Sequence, residues 1–261
     1  MVESRGHLNP GDPDVRFERF PIGLDELVRH VWIVRWSVPE GEVRRQRVLT
    51  YPACNIVVTA DGAMLTGPDP RLSVQDLRGE GWVVGVLLRP AAGLVLTSTP
   101  MERLVDSQEP LPAAPGARIV AAMAGEDSSR LVSGILRDWL EPLAGSVDAA
   151  GRFVNEACRL VEEDDAIMRV GDVAARLHTT TRTLSRHVKR YTGVNPKWLI
   201  ECRRLQSAAL ALHRDPRTGI AELAARLGFA DQAHLSRRYR EVLGETPDRT
   251  RRARREELSV S

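Results

Sequence analysis

The spacing of the hydrophobic residues changes part-way along the chain. Between residues 15 and 90, three runs rich in β-branched and aromatic residues are bounded by turn formers, as is typical of β-strands. The runs are LVRHVWIVRW at 27–36, VLTYPACNIVVT at 48–59 and GWVVGVLLRP at 81–90. ADGA at 60–63 and TGPDPR at 66–71 carry turn residues. This part predicts a small antiparallel β-sheet or barrel.

After Pro90 the apolar residues recur at steps of three and four, which indicates helices. One stripe runs from Leu131 to Leu140 and another from Phe153 to Val161. The acidic run EEDD at 162–165 marks a solvated helix end and a domain boundary. We therefore predict an α+β fold: a sheet with helices first, then an all-helical C-terminal domain.

The C-terminal part contains one unit twice, at 170–196 and at 220–247. AARL recurs at an offset of 50 residues and LSR at an offset of 51, so one residue is inserted between them. Each copy predicts a short helix, a turn, and a second helix whose N-cap is Thr180 or Asp231. This is the pattern of a helix-turn-helix motif.

The turns and the connection between the copies also follow from the sequence. Gly228 suits the tight turn of the second copy, whereas His178 occupies the same place in the first, which predicts an irregular turn there. Between the copies, Asn195 and Pro196 begin a helix whose apolar stripe continues to Leu212. We expect this helix to hold the two motifs about one turn of DNA apart.

In each second helix, the apolar side is expected to face the core and the opposite side to face out. The outward residues are of types that contact base edges or phosphates. They are Thr181, Arg182, Ser185, Arg186 and Lys189 in the first copy, and Gln232, Ala233, Ser236, Arg237 and Arg240 in the second. The competing interpretation is a merely solvated amphipathic helix, which two matching copies make less tenable.

The charge distribution supports a polyanionic partner. The net charge of +2 divides into −7 for residues 1–169, with 18 Arg against 25 acidic residues, and +9 for residues 170–261, with 17 Arg and 2 Lys against 10 acidic residues. A basic module gains affinity for nucleic acid by releasing counterions from phosphates.

Residues 166–251 resemble the DNA-binding domain of the AraC/XylS family, in which a long helix joins two helix-turn-helix motifs. The resemblance rests on both AARL segments, the helix from Thr180 to Tyr191, the GVNP and GETP turns, RRLQSAALAL and GFADQAHLSRRYRE. It implies double-stranded DNA as the partner and transcription regulation as the function. Thr250 departs from the family, whose last motif usually has an aromatic residue there.

The resemblance also implies which side chains read bases. The principal positions fall on Arg182 and Arg186 in the first unit and on Ala233 and Arg237 in the second, with Gln232 and His234 nearby. We expect the first unit to supply more of the hydrogen-bonded base reading. The second unit is expected to contribute fit, contact with a thymine methyl group and phosphate anchoring.

The N-terminal part resembles, more loosely, a poorly characterised sensor-like domain of such regulators. This resemblance rests on YPACNIVVTADGAMLTGP at 51–68, GVLLRPAAG at 85–93 and MERLVDSQEPL at 101–111, which we predict to be helical. A sheet or barrel with aromatic residues can enclose a ligand. The candidate ligand residues are Trp32, Trp36, Tyr51, Cys54, Trp82 and Arg89. Alternatively, the tryptophans only pack in a core and Arg89 forms a surface ion pair.

The sequence argues against an enzyme. Metal catalysis requires a cluster of ligands, but His7 and His30 are the only histidines before residue 170. Cys54 has no adjacent basic residue to activate it, and the three cysteines are expected to be buried, reduced thiols. No cofactor is expected. A ligand-independent DNA-binding protein, whose N-terminal domain only mediates oligomerisation or partner binding, remains an alternative.

We predict four segments: a flexible arm (1–16), a sensor or dimerisation domain (17–165), a DNA-binding domain (166–251) and a basic tail (252–261). The sequence has no long apolar run and no signal peptide, so we expect a cytoplasmic protein with no membrane partner. Besides DNA, the candidate partners are RNA polymerase, a small-molecule effector and a second copy of the chain.

Overall fold

Eight strands lie in the N-terminal part of the computed structural model, which describes residues 12–49, 52–69 and 72–260. Six of them form one antiparallel sheet in the order β1-β2-β7-β4-β5-β8, and β3 and β6 form a separate two-stranded ribbon. The strands are β1 (Val15–Phe20), β2 (Val28–Ser37), β3 (Arg44–Leu49), β4 (Asn55–Thr59), β5 (Gly62–Thr66), β6 (Leu72–Leu77), β7 (Glu80–Leu88) and β8 (Gln108–Pro110).

The sheet is open, with β1 and β8 as its edges, so the N-terminal part has the predicted sheet rather than a barrel. The runs at 27–36 and 81–90 are confirmed as β2 and β7. The run at 48–59 was predicted as one strand, but β3 ends at Leu49 and β4 begins at Asn55. ADGA forms the predicted hairpin, because Thr59 pairs with Gly62 across Ala60 and Asp61.

Eleven α-helices lie in the described residues. The first five pack with the sheet: α1 (Gly93–Leu96), α2 (Met101–Leu104), α3 (Gly116–Met123), α4 (Ser128–Leu140) and α5 (Ala149–Glu163). The other six form the C-terminal part: α6 (Val170–Arg176), α7 (Thr181–Thr192), α8 (Pro196–Arg214), α9 (Ile220–Arg226), α10 (Gln232–Leu243) and α11 (Pro247–Val260). None of the helices described here is long and apolar enough to cross a membrane.

Three boundaries differ from the predictions. Strand β1 begins at Val15, inside the segment predicted as a flexible arm. The segment 101–111 was predicted to be helical, but its second half is β8, because Met64, Leu65 and Thr66 of β5 provide a strand to pair with. The segment predicted as a basic tail, 252–261, is helical as far as Val260, because α11 continues through it.

One continuous hydrophobic core joins the sheet to the first helix-turn-helix unit. Residues alternate along β2 and β7, so Val31, Ile33, Val84 and Val86 face the helices and are fully buried. The same cluster includes Ile119, Val132 and Leu136 of α3 and α4, Val154 and Val161 of α5, and Leu184, Val188 and Tyr191 of α7.

The second unit has a core of its own. Its buried residues come from α8 to α10 and include Leu205, Leu212, Leu223, Leu235 and Tyr239. Trp198, near the start of α8, packs against both cores. The 19-residue α8 therefore links a unit fused to the N-terminal part with a more independent one.

A buried arginine is hydrogen-bonded to the backbone of the segment between α5 and α6. Arg203 of α8 is 6% exposed and donates to the carbonyls of Asp164 and Ile167, at 2.7 and 2.6 Å. The carboxylate of Asp172 accepts from the backbone N–H groups of Met168 and Arg169, at 2.9 and 2.8 Å. The backbone carbonyl and N–H groups of this connection are therefore hydrogen-bonded to the side chains of Arg203 and Asp172.

Candidate nucleic-acid interface

The two units share one local geometry. The turn residue has positive φ in both, +48° at His178 and +69° at Gly228, so the prediction of an irregular first turn is wrong. Both second helices, α7 and α10, end at a left-handed glycine, Gly193 (φ +72°) and Gly244 (φ +69°). The repeat seen in the sequence is therefore a repeat of backbone conformation.

Both N-caps form as predicted. The Thr180 hydroxyl accepts a hydrogen bond from the Thr183 N–H at 3.1 Å, and the Asp231 carboxylate accepts one from the His234 N–H at 2.6 Å. Each cap satisfies a free N–H group at the start of the second helix. The first turn of α7 and of α10, where the predicted DNA-facing residues begin, is therefore stabilised by its N-cap.

Most of the predicted DNA-facing side chains are exposed. In the two second helices the apolar side is buried, with Leu184, Val188 and Leu235 at 0% exposure. The exposed members are Thr181, Arg182, Arg186 and Lys189 on α7, and Gln232, Ala233, Arg237 and Arg240 on α10. Ser185, His234 and Ser236 are half-buried.

Four exposed arginines of the two helices have no anionic partner among the residues that the structure describes. Across the described ranges, Arg182, Arg186, Arg237 and Arg240 form no side-chain hydrogen bond or ion pair. Lys189 differs, because its ammonium lies 3.3 Å from the Glu102 carboxylate of α2. Free guanidinium groups on a helix surface are suited to guanine edges and phosphates.

His234 has a role in the turn as well. Its ring meets Phe229 edge to face, with centroids 5.5 Å apart, and its Nδ1 accepts from the Ala230 N–H at 3.4 Å. The half-buried ring therefore packs against the turn and faces away from bulk solvent on that side.

Two arginines that the sequence analysis did not single out position the second unit. Arg204 of α8 lies over the Phe229 ring at 4.0 Å, and burial lowers its pKa. Arg238 of α10 forms ion pairs with Glu201 and Glu241, and its hydrogen bond to Glu201 raises its pKa. The available signal for Arg204 was the RR pair at 203–204 beside the apolar stripe of α8.

Thr250, the departure from the family pattern, still anchors α11. Its hydroxyl lies 3.0 Å from the Tyr239 hydroxyl and donates to the Glu245 carboxylate at 2.6 Å. These contacts tie α11 to α10 in place of an aromatic ring.

The first unit is tied to the N-terminal part by polar contacts too. The Tyr191 hydroxyl lies 2.6 and 2.7 Å from the two carboxylate oxygens of Asp148, the N-cap residue of α5. Hydrogen bonds from Tyr191 and from the Gly151 N–H lower the pKa of Asp148, while burial and this carboxylate raise the pKa of Tyr191 to about 12. A Cβ at Gly193 would meet the Met101 carbonyl at 2.5 Å. Helix α7 therefore lies directly against the N-terminal part.

The candidate ligand residues do not form one cluster. Trp32 and Trp36 lie on the sheet face opposite the main core, whereas Trp82 packs against that core. Tyr51 lies outside the described residues.

Cys54 and Arg89 have structural partners. Cys54 is buried with its sulfur 3.7 Å from that of Met101, and burial raises its thiol pKa to about 12. Arg89 donates to the Asp25 carbonyl at 2.8 Å rather than forming the expected ion pair. All three cysteines are buried and free, which confirms the prediction of reduced thiols.

A known family model matches each of the two parts of the chain. Residues 173–253 match the family model of a helix-turn-helix domain. The DNA-binding domain of AdpA, solved with a target DNA, is 30% identical and is covered over 96% of its length by 42% of this chain, with a TM-score of 0.34. The chain belongs to the AraC/XylS family.

Two further solved structures match different shares of this chain. An AraC-type transcriptional regulator from Chromobacterium violaceum is 28% identical, with 40% of this chain covering 92% of that one at a TM-score of 0.36. ToxT from Vibrio cholerae is 12% identical, with 92% of this chain covering 98% of that one at a TM-score of 0.43. Residues 21–110 match a domain of unknown function. No curated protein matches the chain.

Membership of the AraC/XylS family identifies the protein as a DNA-binding transcription regulator. The outward faces of α7 and α10 are its candidate DNA contacts.

Proposed function

We propose that the protein binds a specific duplex sequence by placing α7 and α10 in consecutive major grooves. We further propose that its N-terminal part controls this binding through a small-molecule effector, dimerisation or both. The main support is the pair of matching helices whose exposed arginines lack anionic partners among the described residues. RNA polymerase is a candidate further partner.

The length of α8 fits this arrangement. Its 19 residues span about 28 Å at ~1.5 Å per residue, close to the roughly 34 Å between successive major grooves on one face of DNA. A connection of this length allows both helices to contact one face of the duplex.

The two helices differ in the chemistry that they offer. Helix α7 presents Arg182 and Arg186, each able to form two hydrogen bonds with guanine. Helix α10 presents Arg237 beside Ala233, a small apolar residue suited to a thymine methyl group. We therefore propose that α7 supplies more of the hydrogen-bonded base reading.

Selection of bound sequences from random duplex DNA tests this proposal. The full chain is the material to use, because the first unit shares its core with the N-terminal part. We expect two half-sites about one helical turn apart and an affinity that falls steeply with salt. Failure to bind DNA even at low salt would contradict the proposal.

Single substitutions then assign the contacts. Arg186→Ala or Arg237→Ala should cost about 1–3 kcal/mol on the selected sequence and relax preference at one or two base pairs. Arg130→Ala, an exposed arginine on α4, is the control and should change neither. Equal losses on every sequence would assign the residue to the phosphate backbone instead.

Repeating the selection with a metabolite mixture tests effector control. A change in yield supports a ligand-controlled regulator. An unchanged yield, together with a dimer in sedimentation, supports an N-terminal part that acts through dimerisation alone.

A further inference from the structure

One face of the six-stranded sheet is not used by either hydrophobic core. Alternation along β1, β2 and β7 places Phe17, Trp32, Val34 and Trp36 on this face, and all four are half-buried. None of them belongs to the core clusters of the described residues. We call Phe17, Trp32 and Trp36 the aromatic platform.

Two glycines make the platform flat. Trp32 pairs with Gly85 and Trp36 pairs with Gly81 across β2 and β7. A Cβ at Gly85 would lie 1.9 Å from Cε2 of Trp32, and one at Gly81 would lie 2.3 Å from Cζ2 of Trp36. The indoles therefore lie against bare backbone, a contact that only glycine allows.

The rings of the platform are held in place. Phe17 and Trp32 are stacked, with centroids 6.4 Å apart and planes 10° from parallel. The Trp32 indole N–H donates to Oδ1 of Asn55 at 3.3 Å. These contacts fix the orientation of the surface before any ligand arrives.

A cation without a protein anion stands at the edge of the platform. Arg19 pairs with Trp32 across β1 and β2, and its guanidinium carbon lies 5.3 Å from the Phe17 centroid. Its Nε is buried and has no hydrogen-bond partner, and within 12–49, 52–69 and 72–260 no carboxylate forms an ion pair with Arg19. By contrast, Arg29 is held by Glu162 at 2.6 Å.

Other basic side chains lie near Arg19. Burial and then the charge of Arg29 lower the pKa of Arg19. Burial, followed by the charges of Arg19, Arg29 and Arg89, lowers the pKa of His30 to about 3. A partly buried cation with an unsatisfied donor is stabilised by a bound anion.

We propose that the aromatic platform and Arg19 bind a small aromatic carboxylic acid, with the carboxylate on Arg19 and the ring against Trp32 and Phe17. A single guanidinium matches a single negative charge, and the platform matches a flat apolar body. This assignment rests on the proposed function, because it gives the chemical class of the effector.

The gap inside the main core is a poorer candidate. It has no room even for a water molecule and is lined entirely by apolar side chains, among them Leu27, Leu88 and Leu140. Ligand sites usually have about 300–1,000 Å³ and a few polar groups. The gap offers no group for a charged effector.

Calorimetric titration of the full chain with phenylacetate tests the inference, with phenylacetamide as the uncharged counterpart. We expect saturable binding of the acid and at least about tenfold weaker binding of the amide, since one lost charged hydrogen bond has roughly this effect. Equal binding of the two compounds, or no saturable binding of the acid, would overturn the assignment.

Three variants test where phenylacetate binds. Arg19→Gln should weaken phenylacetate binding at least about tenfold. Arg16→Gln, an exposed arginine on the same strand whose side chain is on the other face, should leave it unchanged. Gly85→Ala should weaken binding by displacing the Trp32 ring. Wild-type affinity in Arg19→Gln would overturn the assignment even if Gly85→Ala is unstable.

DNA binding by the same preparations separates this inference from the proposed function. A chain that binds DNA but not phenylacetate contradicts only the effector class. A chain that binds phenylacetate but no DNA supports the platform and contradicts the proposed function.

Discussion

The two helix-turn-helix units have the same backbone but different neighbours. In the first, α7 is part of the core of the N-terminal sheet and contacts α2 and α5. In the second, α10 packs within a separate core and is tied to α8 by Arg238. The position of the first unit is thus set by the N-terminal part, whereas that of the second is set mainly by α8, with Leu72 of β6 as the contact of its core with the N-terminal part. A change in the N-terminal part should therefore reach α7 first.

The matched glycines Gly193 and Gly244 test this difference most strongly. Both have positive φ, so Ala at either should cost about 1–2 kcal/mol of stability. At Gly193 the new Cβ also meets the Met101 carbonyl and Val105 at 2.5 Å, while at Gly244 it meets open space. Overpacking should add about 1–3 kcal/mol to Gly193→Ala alone.

Urea unfolding gives the two free energies, and hydrogen exchange shows where each variant loosens. Gly193→Ala should increase exchange in both α2 and α7, and Gly244→Ala only around α10. Equal free-energy losses would mean that α2 moves away from the new Cβ at residue 193 without a cost in stability.

The two buried tyrosines provide a second comparison of the units, with expected stability losses of intermediate size. Tyr191→Phe removes a hydrogen bond to the Asp148 carboxylate and should cost about 1–2 kcal/mol, because Asp148 is exposed and the bond is partly screened. Tyr239→Phe, its counterpart, removes a hydroxyl contact with Thr250 and should cost about 0.5–1.5 kcal/mol. Thermal unfolding measures both.

This comparison also has a pH dependence. The Tyr191 hydroxyl lowers the pKa of Asp148 in the folded protein, so the resulting stability is present above the unfolded carboxyl pKa and is lost as the pH falls through the folded pKa. The stability difference between wild type and Tyr191→Phe should therefore shrink below about pH 4. If the stability difference stays constant down to pH 2, the effect of Tyr191→Phe comes from packing and not from the hydrogen bond to Asp148.

The turn residue of the first unit, His178, gives the smallest expected effect, and its counterpart Gly228 gives the opposite sign. His178 adopts φ +48°, a conformation that glycine takes without strain, so His178→Gly should stabilise the protein by about 0.5–1 kcal/mol after the backbone entropy cost. Gly228→Ala should instead destabilise it by about 1–2 kcal/mol, since φ is +69°. Chemical denaturation resolves both signs. A loss of stability in His178→Gly would show that the imidazole makes a compensating contact.

Local signals predicted the C-terminal part well. The N-caps Thr180 and Asp231 and the turn glycine Gly228 each determine their own backbone through interactions within four residues. The repeat made the N-caps recognisable, because each copy has one at the matching place.

The contacts between residues far apart in the chain could not be predicted from the sequence patterns. The contact of α7 with α2 and the pairing of β8 with β5 join residues far apart in the chain, and no local spacing encodes them. The tryptophans show the same limit, because alternation places Trp32 and Trp82 on opposite faces only once the strand register is known. Arg19 went unnoticed because RFERF at 16–20 mixes charged and aromatic residues in a short edge strand.

The buried Arg203 has a consequence for how proteases act on the molecule. A connection between two parts is usually cut first, because its backbone is exposed and mobile. Here the guanidinium holds the carbonyls of Asp164 and Ile167, and Asp172 holds the next two N–H groups. Trypsin should therefore spare Arg169 until the protein opens, and a clean release of the C-terminal part should not be the first step of digestion.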